Sequence, residues 1–150
     1  MRHFSLYHRY AAVLAVAVAL QFAVACDKDK LKESAKAADR IEIVSTAAID
    51  TIVALEAQHV ITKPQERSLA QILLDINSGN RELISTVRAA TTWDAPTKQT
   101  VTRLIRTIAE SVSRLNDEGL LHITNPDSKA KFGAIVAALK SALAIIEANL

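Results

Sequence analysis

The residues of this chain with the most scope for chemistry are two histidines that have carboxylates nearby. Glu56 precedes His59 by three positions, and Asp117 and Glu118 come shortly before His122. A Glu-x-x-His turn is how helical di-iron bundles present their ligands, and imidazole with carboxylate also suits zinc. Glu56, His59, Glu118 and His122 are therefore the candidate metal ligands of the chain.

These four side chains can meet only if folding brings both histidines to one end of the molecule. Di-iron bundles hold their metals in mid-bundle and repeat the Glu-x-x-His turn, whereas both histidines here adjoin predicted loops and the turn occurs once. We therefore favour solvated loop residues and expect neither a resident metal nor another cofactor. Covalent haem would need a Cys-x-x-Cys-His motif, which this sequence lacks.

Other catalytic signatures are missing from the sequence. It contains no glycine-rich phosphate loop, nucleophile elbow or His-Glu-x-x-His helix. Serine, histidine and aspartate are present, but no spacing marks one serine among many. The sequence favours a protein that is not an enzyme, with an enzyme of unfamiliar type as an alternative.

A second candidate site surrounds the single tryptophan, Trp93. Five basic residues gather toward the connection that contains it: Arg81, Arg88, Lys98, Arg103 and Arg106. A tryptophan with basic neighbours suits contact with an anionic membrane surface. The alternative, which we favour, places the basic residues on a solvated face diluted by Asp94 and Glu110, with Trp93 covering the core.

Four amphipathic segments must position these residues. Apolar residues recur at intervals of three and four, which predicts helices over residues 28–60, 63–91, 95–117 and 126–149. Helix starts are indicated by Thr62 with Gln65, by Asp94 and by Asn125 before Pro126. Gly119 indicates where the third helix stops.

The second predicted helix contains a weak point at Asn77–Asn80. The apolar stripe nevertheless stays in phase from Ile76 to Leu83, so we predict one helix in which a close helix contact explains Gly79. A break at Asn77–Asn80 is the alternative, because interior Asn-Ser-Gly sequences often mark turns.

Short connections favour antiparallel neighbours, so the predicted fold is an all-α, up-down-up-down four-helix bundle. The two halves also resemble each other: a shift of 60 residues superimposes the stripes of helices one and three, and a shift of 63 those of helices two and four. Ile61 and Ile123 punctuate both halves at the same place. Two related hairpins would explain this, although any two amphipathic helices can be brought into phase.

The first 26 residues have a different composition from the rest. Arg2 and Arg9 form a basic start, an apolar run begins at Ala11, and Ala23 and Ala25 supply the small residues that a signal peptidase requires. The run is shorter than the ~20 apolar residues of a membrane-spanning helix. We therefore predict a signal peptide over residues 1–25 and a single helical domain over residues 26–150.

The sequence Ala23-Val24-Ala25-Cys26 resembles the lipobox of bacterial lipoproteins. The resemblance implies that Cys26 carries lipid and becomes the first residue of the mature protein. A modified thiol would also account for a single cysteine in an exported chain. Because Ala23 stands where leucine is usual, ordinary cleavage with secretion and an uncleaved anchor stay open as alternatives.

The charge of the mature domain argues against nucleic acid as a partner. Two of the 18 basic residues, Arg2 and Arg9, lie in the predicted signal, and the remaining 16 equal the 16 acidic residues. The electrostatic contribution that dominates nucleic-acid affinity is then weak. Only Trp93 and Phe132 remain as aromatic residues for stacking on bases.

Together these patterns predict a non-catalytic, lipid-anchored helical module of the bacterial cell envelope that faces the periplasm or the exterior. Its partners would be the membrane, through the lipid, and an unidentified protein. The alternatives are a helical bundle that binds a small ligand or metal, and a secreted soluble periplasmic protein.

Overall fold

A computed structural model describes residues 4–150, with side chains described from Asp27 onward. It contains four α-helices: α1 (Phe4–Ala57), α2 (Lys63–Ala89), α3 (Ala95–His122) and α4 (Pro126–Ala148). The side chains of the predicted signal peptide and of Cys26 lie outside the described residues. No helical stretch between Asp27 and Leu150 combines the length and hydropathy that a membrane span requires.

The helices form a ring in which each contacts two neighbours. α1 packs against α2 and α4, and α3 packs against the same two helices. α1 and α2 are antiparallel, because Asp39 of α1 contacts Arg88 of α2, whereas Ser45, later in α1, contacts Asn77, earlier in α2. The predicted up-down-up-down bundle is therefore confirmed.

The apolar stripes meet in one continuous core. Ile41, Leu73, Ile108 and Leu139, from the four helices in turn, are each at most 1% exposed. Burying a large aliphatic side chain contributes roughly 1.5–3 kcal/mol, so the helices depend on their mutual packing. The equivalent positions suggested by the internal similarity are buried or half-buried in both hairpins, as both related hairpins and two independently amphipathic pairs would require.

The bundle has two ends that differ in what they contain. The near end holds the part of α1 around Ser34, the connection 90–94 and the chain end at Asn149 and Leu150. The far end holds the connections 58–62 and 123–125. Both predicted histidines thus lie at the far end, and Trp93 lies at the near end.

α2 is continuous through Asn77–Asn80, as predicted. A Cβ atom added to Gly79 would lie 3.0 Å from Cγ1 of Ile108 in α3. The glycine therefore permits the close approach of α2 and α3 that the sequence suggested, and the alternative of a helix break is wrong.

The predicted end of the third helix is wrong, because α3 runs through Gly119 to His122. A Cβ atom at Gly119 would lie 1.9 Å from Cε1 of Phe132 in α4. Gly119 is thus a packing residue that admits the Phe132 ring. It does not terminate the helix.

α1 ends earlier than predicted, and a histidine ends it. The Val60 N–H donates to the Leu55 carbonyl, and the His59 N–H donates to the Glu56 carbonyl, which is the hydrogen-bond pattern of a Schellman motif. His59 occupies the left-handed position of that motif with φ of 56°. Glycine normally fills this position because it has no Cβ to clash.

Candidate functional site

The four candidate metal ligands lie on α1, on the turn that ends it and on α3, and α1 and α3 are not neighbouring helices. The side chains of His122 and Glu118 contact residues of α2. His122 Nδ1 lies 3.0 Å from Gln65 Nε2, and Ser68 donates to Glu118 Oε2 over 2.6 Å. His59 is exposed, and its backbone has the left-handed conformation of the turn that ends α1. Within residues 27–150 no three His, Cys, Asp or Glu side chains form a group that could hold a metal ion. Glu56, His59, Glu118 and His122 are therefore not assembled as a ligand set.

A carboxylate that sequence reasoning did not single out, Glu66, is buried on α2. Glu66 is 9% exposed, and its carboxylate forms an ion pair with Lys63 within the first turn of the helix. A buried carboxylate needs such a partner, because burying an unpaired charge is strongly unfavourable. Glu66 thus stabilises the start of α2 together with Gln65, which accepts from the Thr62 N–H over 2.7 Å.

Trp93 is buried, so its side chain does not form the exposed membrane contact that the sequence indicated as one possibility. Its side chain is 3% exposed, and its indole N–H donates to the Asn149 carbonyl. Asn149 Nδ2 lies 3.4 Å from Ser34 Oγ. Trp93 therefore closes the near end of the core, which is the alternative that the sequence favoured.

Four of the five basic residues on either side of Trp93 in the sequence are exposed, and two of the five form ion pairs. Arg88 contacts Asp39 over 2.7 Å, and Arg103 lies 3.7 Å from Glu82. Lys98 is half-buried, whereas Arg81 and Arg106 are exposed. Exposed pairs of this kind contribute about 0–1 kcal/mol, so these residues remain available to other charges.

Asp94 caps α3 as predicted, accepting from the Thr97 N–H over 3.0 Å. The Thr97 hydroxyl, and after it the Thr97 backbone N–H, lower the pKa of this carboxyl below its ordinary value. Hydrogen bonds to the charged form favour ionisation. The cap is therefore fully charged at neutral pH.

The α1/α2 interface contains a buried polar layer. Ser45 and Asn77 share a hydrogen bond between the two helices, and Asn80 Nδ2 donates to the Ala38 carbonyl over 2.9 Å. Asn80 is 1% exposed, and its Oδ1 has no protein partner between Asp27 and Leu150. These side chains fix how α1 and α2 are aligned along their length.

The α3/α4 interface is open over part of its length. A groove of about 390 Å³ runs between these helices toward the near end. Its floor is apolar, formed by Ile105, Val112, Leu143 and Leu150. Arg106, Lys140 and Glu147 lie along its rim. Sequence reasoning missed this groove, because stripe spacing does not reveal how far apart two helices lie.

No protein-family model, characterised protein or solved structure shows significant similarity to this chain.

Proposed function

We propose that this protein is a lipid-anchored, non-catalytic helical module of the bacterial cell envelope that works through contacts with other proteins. The observation that carries the proposal is the sequence Ala23-Val24-Ala25-Cys26, which lies immediately before the bundle. Among the side chains described from Asp27 onward, the first buried apolar one is Leu31, five positions after Cys26. Lipid on Cys26 would therefore hold the near end of the bundle close to the membrane.

The surface of α1 supports a role in protein contact. From Lys28 to Arg40 its exposed positions are rich in charge. From residue 42 to residue 54 two exposed carboxylates and one threonine alternate with exposed apolar residues, namely Ile43, Ala47, Val53 and Ala54. Ile43 is 69% exposed. Exposed apolar residues on one helical face are typical of surfaces that bind another protein.

The anchor is tested by two substitutions with opposite expectations. Cys26→Ser removes the thiol that would be acylated but leaves Ala23 and Ala25 in place for ordinary cleavage. Ala23→Leu restores the usual lipobox residue but puts a large side chain where ordinary cleavage needs a small one. Mass spectrometry of the purified protein reports the N-terminal residue and any attached lipid.

If the proposal is right, the unchanged protein and Ala23→Leu carry lipid on Cys26 and fractionate with membranes, while Cys26→Ser does neither. The opposite result, with cleavage lost in Ala23→Leu and unchanged in Cys26→Ser, would show ordinary secretion. An intact N-terminus in all three proteins would show an uncleaved anchor. Either result refutes the lipoprotein proposal.

The contact role is tested by affinity purification from membranes. Ile43→Lys places a charge in the apolar part of α1, whereas Ser85→Lys places the same charge at an exposed polar position of α2. We expect a partner to co-purify with the unchanged protein and with Ser85→Lys, but at least tenfold less with Ile43→Lys. Equal recovery with both variants would exclude this face of α1 as the contact surface.

A further inference from the structure

We infer that this protein pairs with a second copy of itself through the outer face of α1, with the two α1 helices antiparallel. The inference rests on the contact role proposed for α1 and identifies the partner. Its basis is a row of exposed residues that complements itself in charge and size when a second α1 helix lies beside it in the opposite direction.

α1 has an exposed row of residues in addition to the stripe that is buried in its own bundle. The members of this outer stripe are exposed and recur at alternating intervals of four and three residues: Lys36, Arg40, Ile43, Ala47, Asp50, Ala54 and Ala57. This is the spacing of the a and d positions of a coiled coil, which keep one face of a helix toward a partner. The outer stripe therefore has the spacing of a helix–helix interface, although α2, α3 and α4 leave it uncovered.

The charges of the outer stripe match only one relative direction of two α1 helices. Arg40 and Asp50 are exposed and belong to none of the ion pairs between Asp27 and Leu150. When two copies pair about a two-fold axis level with Ser45, Arg40 of each copy lies opposite Asp50 of the other, because a two-fold interface makes each contact twice. Parallel pairing would place Arg40 opposite Arg40 and Asp50 opposite Asp50, and such like-charge contacts are unfavourable. The charges therefore favour the antiparallel pair.

Side-chain sizes select the same register. Antiparallel pairing about Ser45 places Ile43 opposite Ala47 of the second copy, and Lys36 opposite Ala54. A large side chain that faces a small one allows two helices to interdigitate, whereas parallel pairing would place Ile43 opposite Ile43. Lys36 can lay its aliphatic stem along the partner helix while its ammonium stays in water. One register thus satisfies both the charges and the sizes.

The neighbouring surface of α4 leaves room for a second helix. α1 and α4 are antiparallel, because Ser34 contacts Asn149 and Arg40 lines a surface recess together with Ile145. Further along the two helices, the same alignment brings two small, exposed residues of α4 beside the middle of the outer stripe, namely Ala138 and Ser141. No bulky side chain of α4 therefore blocks the approach of a second α1 helix at this level.

Antiparallel pairing also fixes where the two chains begin. Asp27 precedes Ser45 by 18 positions, so the two Asp27 residues of the dimer would lie ~54 Å apart at 1.5 Å per helical residue. Lipid on both copies of Cys26 would then hold the dimer with its α1 helices along the membrane surface.

Charge reversals test the pairing and its direction. The full-length chain is expressed in a bacterial host and purified in detergent, and sedimentation equilibrium in a density-matched solvent gives the dissociation constant of the dimer. Arg40→Glu and Asp50→Arg each put like charges at both symmetric contacts, so each should weaken the dimer about tenfold. Arg67→Glu reverses an exposed charge of α2 and should leave the dissociation constant unchanged. A parallel dimer would respond to neither reversal at the outer stripe, because its like pairs would stay like pairs.

Mixing the two variants provides a matched rescue. In a mixed antiparallel pair the introduced glutamate faces the introduced arginine, and Arg40 of one chain faces Asp50 of the other. An equimolar mixture should therefore dimerise about as tightly as the unchanged protein, although each variant alone does not. Recovery of pairing also shows that both variants are folded.

Three results would overturn the inference. They are a mass of one chain at concentrations up to about 1 mM, a dimer that neither reversal weakens, and a weakening that the mixture does not reverse. Failure of the proposed contact role would be seen differently. A monomeric chain that captures another protein, and captures less of it as Ile43→Lys, refutes self-association but supports the contact role.

Discussion

The two hairpins of the bundle differ in how their interfaces close. Between α1 and α2, Ser45 bonds to Asn77, and Asn80 bonds to the Ala38 carbonyl. Between α3 and α4 an apolar groove remains open. The first interface is joined by buried hydrogen bonds, and the second contains a groove with an apolar floor.

The contrast is sharpest at positions that correspond between the hairpins. The shifts of 60 and 63 residues place Ser45 at the position of Ile105, and Asn80 at that of Leu143. Ser45 and Asn80 join two helices, whereas Ile105 and Leu143 form the floor of the groove. One pattern of buried positions can therefore give either a polar seam or an apolar groove, depending on side-chain chemistry.

The largest difference in stability should come from giving position 143 the residue type of position 80, and position 80 the residue type of position 143. Leu143→Asn removes a buried apolar side chain and introduces an amide without an evident partner, so it should lower the free energy of unfolding by about 2–5 kcal/mol. Asn80→Leu keeps the number and branching of the side-chain heavy atoms, and removes an amide whose Oδ1 has no protein partner between Asp27 and Leu150. The added methyl volume and the loss of that buried amide act in opposite directions, so the free energy of unfolding should change by less than about 1–2 kcal/mol. Urea unfolding measures both, and equal losses would show that the interfaces do not differ in this way.

The next largest difference in stability should be between alanine substitutions at the two interfacial glycines, Gly119 and Gly79. Gly119→Ala would place a Cβ 1.9 Å from Cε1 at the edge of the Phe132 ring and should lower the free energy of unfolding by about 1–3 kcal/mol through overpacking. Gly79→Ala meets only the Ile108 side chain, and the gain in helix propensity of ~1 kcal/mol offsets that contact. Thermal unfolding of the two variants gives the comparison, and a Gly119→Ala protein as stable as Gly79→Ala would contradict the packing described for α3 and α4.

A substitution at the end of α1 should increase the stability of the protein. His59→Gly relieves the left-handed conformation of a residue with a Cβ and should stabilise the protein by about 1 kcal/mol. His59→Asn is the matched control, and its stability should lie between those of the unchanged protein and His59→Gly, because asparagine follows glycine as the residue found at this left-handed position. Denaturant midpoints report the order, and a destabilised His59→Gly would assign histidine a role beyond ending the helix.

The smallest effect concerns the pH dependence of the α3 cap. Because the Thr97 hydroxyl and N–H lower the pKa of Asp94 in the folded protein, its stabilising contribution is complete above the ordinary carboxyl pKa of about 3.9 and is lost as pH falls through the lower folded value. Asp94→Asn keeps a capping side chain that does not titrate. The stability difference between the two proteins should be constant from neutral pH down to about pH 4 and change only below it; a change between pH 5 and 8 would contradict this.

What sequence predicts here depends on how local the cause is. Helix periodicity and the starts at Thr62, Asp94 and Asn125 arise from neighbouring residues, and these predictions are confirmed. The function of Gly119 depends on Phe132 in another helix, so a glycine that locally indicates a helix end is instead inside α3.

The predictions for the candidate sites depended on contacts between residues that are still farther apart in the sequence. Whether Trp93 faced solvent or the core was decided by Asn149, 56 residues away. The end of α1 could not be predicted from a glycine, because His59 occupies the left-handed position at which glycine is usual. The groove was not predictable, because helix separation results from packing across the whole bundle.

The burial of Trp93 gives this protein an internal optical reporter. It is the single tryptophan, and its indole is 3% exposed with its N–H bonded to a carbonyl at the near end. Emission will therefore follow the solvation of that end alone, while far-ultraviolet ellipticity follows all four helices together. Coincident transitions would show that the bundle unfolds as one unit, and an earlier red shift in emission would show the near end opening first.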